Sequence, residues 1–134
     1  KVKEGQIKKG GFNMNDLNII TLTGEIASDI RTGTTKNNQP YAIFRLHSKG
    51  YRELYISISC FGTMAELATN LNKGDRVYVE GELQRNTFEK NGNKVVDYSV
   101  VANIIDLESN MNYAGREKKL NNAELEEIWG GKNE

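Results

Sequence analysis

LYISISCFGTMAELATNLNKGDRVYVEGEL, residues Leu54–Leu83, changes its hydrophobic period twice. Leu54, Ile56, Ile58 and Cys60 alternate with Tyr55, Ser57, Ser59 and Phe61, the two-residue period of a strand running over Leu54–Phe61. From Thr63 the apolar positions fall at Met64, Leu67, Ala68 and Leu71, the spacing of a short helix with one buried face. Thr63 and Glu66 have capping-box spacing, and Gly74 is the expected stop. At Arg76 the period returns to two, in a strand expected to reach Phe88. Val77, Val79, Gly81 and Leu83 point inward there, and Tyr78, Glu80, Glu82 and Gln84 outward.

Working outward, Leu17–Ile26 (LNIITLTGEI) reads as a first strand, with Gly24 marking a bend or bulge inside it. Asp29–Pro40 is rich in Thr, Gly and Asn and reads as a loop. Tyr41–Ser48 is the second strand, joined to the third by a tight turn at Lys49-Gly50. Asn91-Gly92 has the chemistry of a two-residue hairpin, after which Val95–Leu107 is the last strand. Three strands, a helix and two strands, with Gly24 and Gly81 permitting sharp coiling, predict an all-β chain. Its expected architecture is a five-stranded OB-fold barrel with one short helix between strands three and four. The competing architecture is a small open α+β sheet built from the same elements.

The 134 residues suffice for one domain, and no apolar run is long enough to span a membrane as a helix. One Cys cannot form an internal disulfide, and with one His it cannot supply a four-ligand zinc site. No metal, cofactor or enzymatic chemistry is expected, and no signal-peptide order appears, so the expected location is cytoplasmic and nucleoid-associated. Lys+Arg and Asp+Glu both total 18, but unevenly: residues 1–14 carry +3, residues 15–107 carry −1, and residues 108–134 carry −2. Residues 1–14 are therefore read as a flexible extension, 15–108 as the barrel domain, and 109–134 as a tail. Lys8-Lys9-Gly10-Gly11-Phe12-Asn13-Met14 can be encoded by a purine run followed by ATG, as a translated ribosome-binding site would be. The expectation is that the natural protein starts at Met14; a genuine basic arm is the alternative.

Strand alternation gathers Tyr41, Tyr55, Phe61, Tyr78 and Phe88 on the outward surface. A flat ring stacks on any nucleobase at about 1–3 kcal/mol without reading sequence. Cations beside the rings would hold phosphates: Arg31 and Lys36 in the first loop, Arg45, Lys49 and Arg52 around the second hairpin, and Arg85, Lys90 and Lys94 on the last. The plainer reading of any one ring is a cross-strand aromatic pair or a side chain covered by its own chain. Tyr41 and Tyr78 fit that reading best, Tyr78 having Glu80 on its own face. Taken singly, the basic residues are ordinary solvated surface, His47 an exposed strand residue and Cys60 a small core hydrophobe.

Three blocks carry a resemblance. Asn18–Ile26, Phe61-Gly62-Thr63-Met64-Ala65-Glu66 and Lys73–Leu83 resemble the bacterial single-stranded DNA-binding proteins, over roughly residues 14–107. The resemblance implies a homotetramer that wraps single-stranded DNA, with Tyr55 and Phe88 at the positions of stacking Trp residues and Phe61 at a DNA-contacting Phe. The chain departs from that pattern in a shorter connection between strands two and three, where Tyr51 is a weak substitute for a further aromatic. It also departs in its ending, NNAELEEIWGGKNE, which is unlike a Gly-rich linker closed by Asp residues and Pro-Phe. Glu124, Leu125, Ile128 and Trp129 leave two readings open. They could dock replication or recombination proteins, or form one face of a short helix over 121–129 packed on the barrel. The divergent tail and the Asn- and Lys-rich composition point to a phage, plasmid or other mobile-element version.

The expected function is sequence-independent binding of single-stranded DNA, protecting it in replication, recombination and repair. The chain is expected to act as a homo-oligomer, a tetramer or a dimer, the latter paired through the exposed edge of the first strand. The alternative is an OB-fold adaptor of a primosome or recombination complex that binds mainly protein partners.

Overall fold

The computed structural model describes residues 15–112 and Glu127. The expectations for residues 1–14, for a helix over 121–129 and for Glu124, Leu125, Ile128 and Trp129 lie outside them. The elements are β1 (Ile20–Ile26), β2 (Arg31–Thr34), β3 (Pro40–Lys49), β4 (Glu53–Phe61), α1 (Thr63–Ala68), β5 (Arg76–Lys90) and β6 (Asn93–Leu107). A 3-10 turn follows at Glu108–Asn110. No helix among the described residues is long and apolar enough to cross a membrane.

The sheet runs β1-β5-β6-β4-β3-β2 and closes on itself because β1 also pairs with β3, through Glu25↔His47 and Ile26↔Leu46. The five long strands form the expected barrel, with the short helix between β4 and β5. Two glycines make the closure possible. A Cβ on Gly24 would lie 2.4 Å from the His47 carbonyl oxygen, and one on Gly81 would lie 2.0 Å from that of Val101. Backbone passes too close at both points for any side chain. Gly81 also marks a register shift between β5 and β6, where Glu80 pairs with Ile104 but Gly81 with Ala102. The only parallel contact among the described residues, between β4 and β6 at Ser57–Ser59, seals the other side.

The core follows the alternation: Ile26, Ala42, Phe44, Leu46, Ile56, Ile58, Cys60, Val77, Val79, Val100, Ala102 and Ile105 interlock, with Ala65 and Ala68 of α1 over them. Burial pushes the Cys60 thiol up to about 11 by desolvating its charged form, so it is a core atom and a poor nucleophile.

Several local expectations are corrected. Arg31–Thr34, inside the expected loop, forms a sixth, short strand paired with β3. Its turn is held by Thr35, whose hydroxyl accepts from the Gln39 N–H while its carbonyl accepts from Asn38. The capping box does not form. Gly62, at φ 61°, is the N-cap and no side chain bonds there, because the chain turns abruptly from β4 into α1. The helix stops at Ala68. Gly74 (φ 96°) is instead part of a clasp on β1, its N–H donating to Ile26 while the Ile26 N–H donates to Asp75. Leu67 is exposed, leaving small Ala65 and Ala68 to let the helix approach the barrel closely. The turn after Lys49 takes three residues, since Lys49 pairs with Glu53. Leu54 and Leu83, expected inward, are exposed.

Past Gly81 the last hairpin leaves the barrel. β6 keeps its β4 neighbour as far as Ser99, opposite Gln84; from there Arg85–Lys90 of β5 and Asn93–Tyr98 of β6 extend as a two-stranded arm, closed by Asn91 and Gly92 at φ 54° and 81°. Both positive values are those of the expected two-residue turn.

Candidate nucleic-acid interface

The β3–β4 ladder assembles one face of the site. Register places Tyr41 opposite Phe61, Ile43 opposite Ser59, Arg45 opposite Ser57, His47 opposite Tyr55 and Lys49 opposite Glu53, all outward. Tyr55 is 50% exposed and Phe61 38%, at opposite ends of that face and about 20 Å apart along the strand. Between them Arg45 donates from Nη1 to the Ser57 hydroxyl at 3.1 Å, which holds the guanidinium flat on the sheet. Arg31, opposite Ile43 on β2, completes a shallow groove with Ile43, Arg45 and Ser57, rimmed by Ser28 and Asp29.

The arm continues the same face. Ser57 of β4 lies beside Ser99 of β6, Ser99 pairs with Gln84, and Asn86 donates to the Ser99 hydroxyl at 3.0 Å. Counting by twos from Gln84 brings Phe88, 46% exposed and opposite Val95, onto the face that carries Tyr55. Lys90 follows at the tip. The surface is not purely basic, since Glu53, Glu82 and Asp97 share it, so an anionic ligand here would be held by local cations rather than by net charge.

The structure thus brings Tyr55, Phe61, Phe88, Arg31, Arg45, Lys49 and Lys90 to one surface. Lys36 sits on the β2–β3 turn at its edge. Arg52 sits on the β3–β4 turn, its guanidinium 5.4 Å from the centroid of the Tyr51 ring. Arg85 and Lys94 register onto the arm's opposite face, Arg85 across from Tyr98. Tyr41 is half-buried against Gly33, where a Cβ would fall 2.5 Å from the tyrosine hydroxyl. Tyr78 corrects the sequence expectation. It lies between Thr23 of β1 and Asp106 of β6, is 9% exposed, and donates its hydroxyl to Glu80 at 3.1 Å. Strand parity put its ring on the outward side but could not show that the side is covered there.

Two residues escaped the sequence reading. His47 is not an exposed strand residue. Its ring stacks on Tyr55 with centroids 4.3 Å apart and planes 2° from parallel. Tyr98 is half-exposed on the arm beside Arg85. The three-residue turn fixes the register that brings His47 under Tyr55, and knowing it would have revealed the pair.

Comparison with known proteins bears on the family and the fold. The model of the single-strand binding protein family matches residues 17–108. Among solved structures, the crystal structure of a small single-stranded DNA-binding protein from Streptomyces coelicolor is similar, with a TM-score of 0.62 and 22% sequence identity. The similarity covers 71% of this chain and 96% of that one. At that identity the likeness speaks for the fold. No curated protein matches the chain.

Proposed function

The chain belongs to the single-strand binding protein family and binds single-stranded DNA, and from that premise we propose how its own residues do so. The strand lies along the outward face of β3 and β4 and onto the arm. Tyr55, Phe61 and Phe88 stack on bases, at about 1–3 kcal/mol each and without sequence preference. Arg31, Arg45, Lys49 and Lys90 take phosphates on that face, with Lys36 and Arg52 reaching it from its edges. Arg85 and Lys94 meet DNA where the strand passes round the arm, in company with Tyr98. The observation that carries this reading is the placement of three half-exposed rings on one continuous surface by pairing register alone.

Binding, with no chemistry on the strand, is the proposed task. It serves to shield exposed DNA in replication, recombination and repair, in the cytoplasm at the nucleoid. Residues 15–108 are the proposed binding domain. The proposed assembly is a homo-oligomer, and the edge of β1 opposite β5 supports it. That edge pairs with β3 at Glu25 and Ile26 and is covered by it at Gly24, which leaves Ile20–Thr23 as a template for a second strand.

Titration into labelled oligo-dT and into matched duplex, at low and high salt, tests the reading. Binding to dT that weakens with salt, and that Tyr55→Ala and Phe88→Ala each reduce about 5- to 100-fold, is expected. No signal with dT and no effect of either substitution would favour the protein-binding adaptor instead.

A further inference from the structure

We propose that His47 is a positioning residue for base stacking on Tyr55, a flat plate that holds the tyrosine ring so that its free face stays presented to a base. The inference rests on Tyr55 being a stacking residue, as proposed above.

His47 and Tyr55 are direct cross-strand partners on β3 and β4, and their rings are stacked, parallel to within 2° with centroids 4.3 Å apart. One face of Tyr55 is therefore spent on His47, yet the residue remains half-exposed, which leaves the other face for a ligand. The plate is itself held in place. Gly24 of β1 packs directly on the His47 backbone, and Glu25 is its partner across that ladder. The His47 side chain is largely enclosed. Its Nε2 makes no hydrogen bond, and Glu53 Oε2 at 3.6 Å is near enough to attract a charged imidazole but too far to bond it. No hydrogen bond at Nε2 explains the ring's orientation, whereas the contact with Tyr55 does. The charged neighbours on this face are balanced: Arg45 and Lys49 flank His47 along β3, against Glu25 and Glu53 from β1 and β4.

A ring already fixed in its binding pose loses less rotamer freedom when a base arrives. Removing the plate should therefore weaken oligo-dT binding roughly 3- to 10-fold without altering the Tyr55 side chain itself. The experiment compares Kd for labelled oligo-dT, and Tm, across the parent, His47→Ala, His47→Phe, His47→Leu, Tyr55→Ala and the His47→Ala/Tyr55→Ala double variant. Expected are weaker binding by the Ala and Leu variants, near-parental binding by the flat Phe variant, and no further loss on adding His47→Ala to Tyr55→Ala. Parental affinity in both His47→Ala and His47→Leu, with a loss in Tyr55→Ala, overturns the inference alone. So does Phe failing where Ala fails at equal Tm, or an undiminished His47→Ala effect in the Tyr55→Ala background. Parental affinity in Tyr55→Ala removes the stacking site and the inference with it.

Discussion

The barrel body and the β5–β6 arm are ordered by different forces, although a single pair of strands belongs to both. In the body, Phe44, Ile58, Val77, Val79 and Val100 are almost wholly buried. Position there is set by packing, with β3, β4, β5 and β6 each flanked by strands on both sides. Beyond Gly81 the same two strands have no residue buried on β5, and Leu83, Phe88, Val96 and Tyr98 all stand in solvent. The arm keeps its shape through ladder hydrogen bonds and the Asn91-Gly92 turn. Tyr55 is thus backed by the body through its stack on His47, while Phe88 stands on a hairpin held by its own ladder and turn. Under the proposed function the two rings would serve differently, one presented by a packed body and the other by a hairpin without a core.

The sharpest way to break the contrast is at the junction. Gly81→Val places a side chain against the Val101 carbonyl, and we expect a loss of about 3 kcal/mol or more in urea unfolding. Changes on the arm should leave unfolding within about 0.5 kcal/mol. Next in size are the rings. Phe88→Ala should cost about 1–3 kcal/mol in oligo-dT affinity with Tm nearly unchanged, whereas Phe44→Ala should cost about 3–5 kcal/mol of stability. If Phe88→Ala lowered Tm as Phe44→Ala does, the arm would be part of the body after all.

A third test reads the body alone. The Cys60 thiol ionises at about 11 in the fold against 9.0 as the reference. The folded state thus holds its proton where the unfolded chain loses it. Its contribution to stability is complete below about pH 9 and falls as pH rises from 9 to 11, by at most about 1.4 kcal/mol per pH unit. Urea midpoints across that range measure it, and native protein should resist thiol alkylation at pH 8 until it unfolds. The smallest effect belongs to the arm's tip. Lys90→Gln should lower the slope of log affinity against log salt by about 0.7, and a slope unchanged within error would take Lys90 out of contact with phosphate.

Much of the body was legible because its constraints are local. Alternation marks Ile56, Ile58 and Cys60 as inward, Gly24 and Gly81 stand where backbones cross, and Asn91-Gly92 names its own turn. What escaped depends on distance relations that no short window holds. Parity assigns Tyr78 a side but not the cover over it, and it gives Leu83 the inward direction but not the point where the barrel ends. Thr63 and Glu66 have the spacing of a cap, but the turn out of β4 demands positive φ at Gly62 and starts the helix there. Arg31-Thr32-Gly33-Thr34 lacks the apolar residues that announce a strand, and it pairs because β3 offers it an edge. For the site, the rings and most cations on the face were readable from alternation. The facing of Arg85 and Lys94, and the stack of His47 beneath Tyr55, needed the register between strands.

Just ahead of β1, the Asn18 amide accepts from the Leu83 N–H at 3.1 Å and donates to the Leu83 carbonyl at 2.9 Å. A side chain here stands in for one more rung of the β1–β5 ladder, after which alternate N–H groups of β5, from Arg85 on, face open water. Asn18 thus marks the point beyond which β5 has no neighbour on the β1 side. In Asn18→Ala the Leu83 amide, its acceptor gone, should exchange with deuterated solvent as fast as that of Arg85.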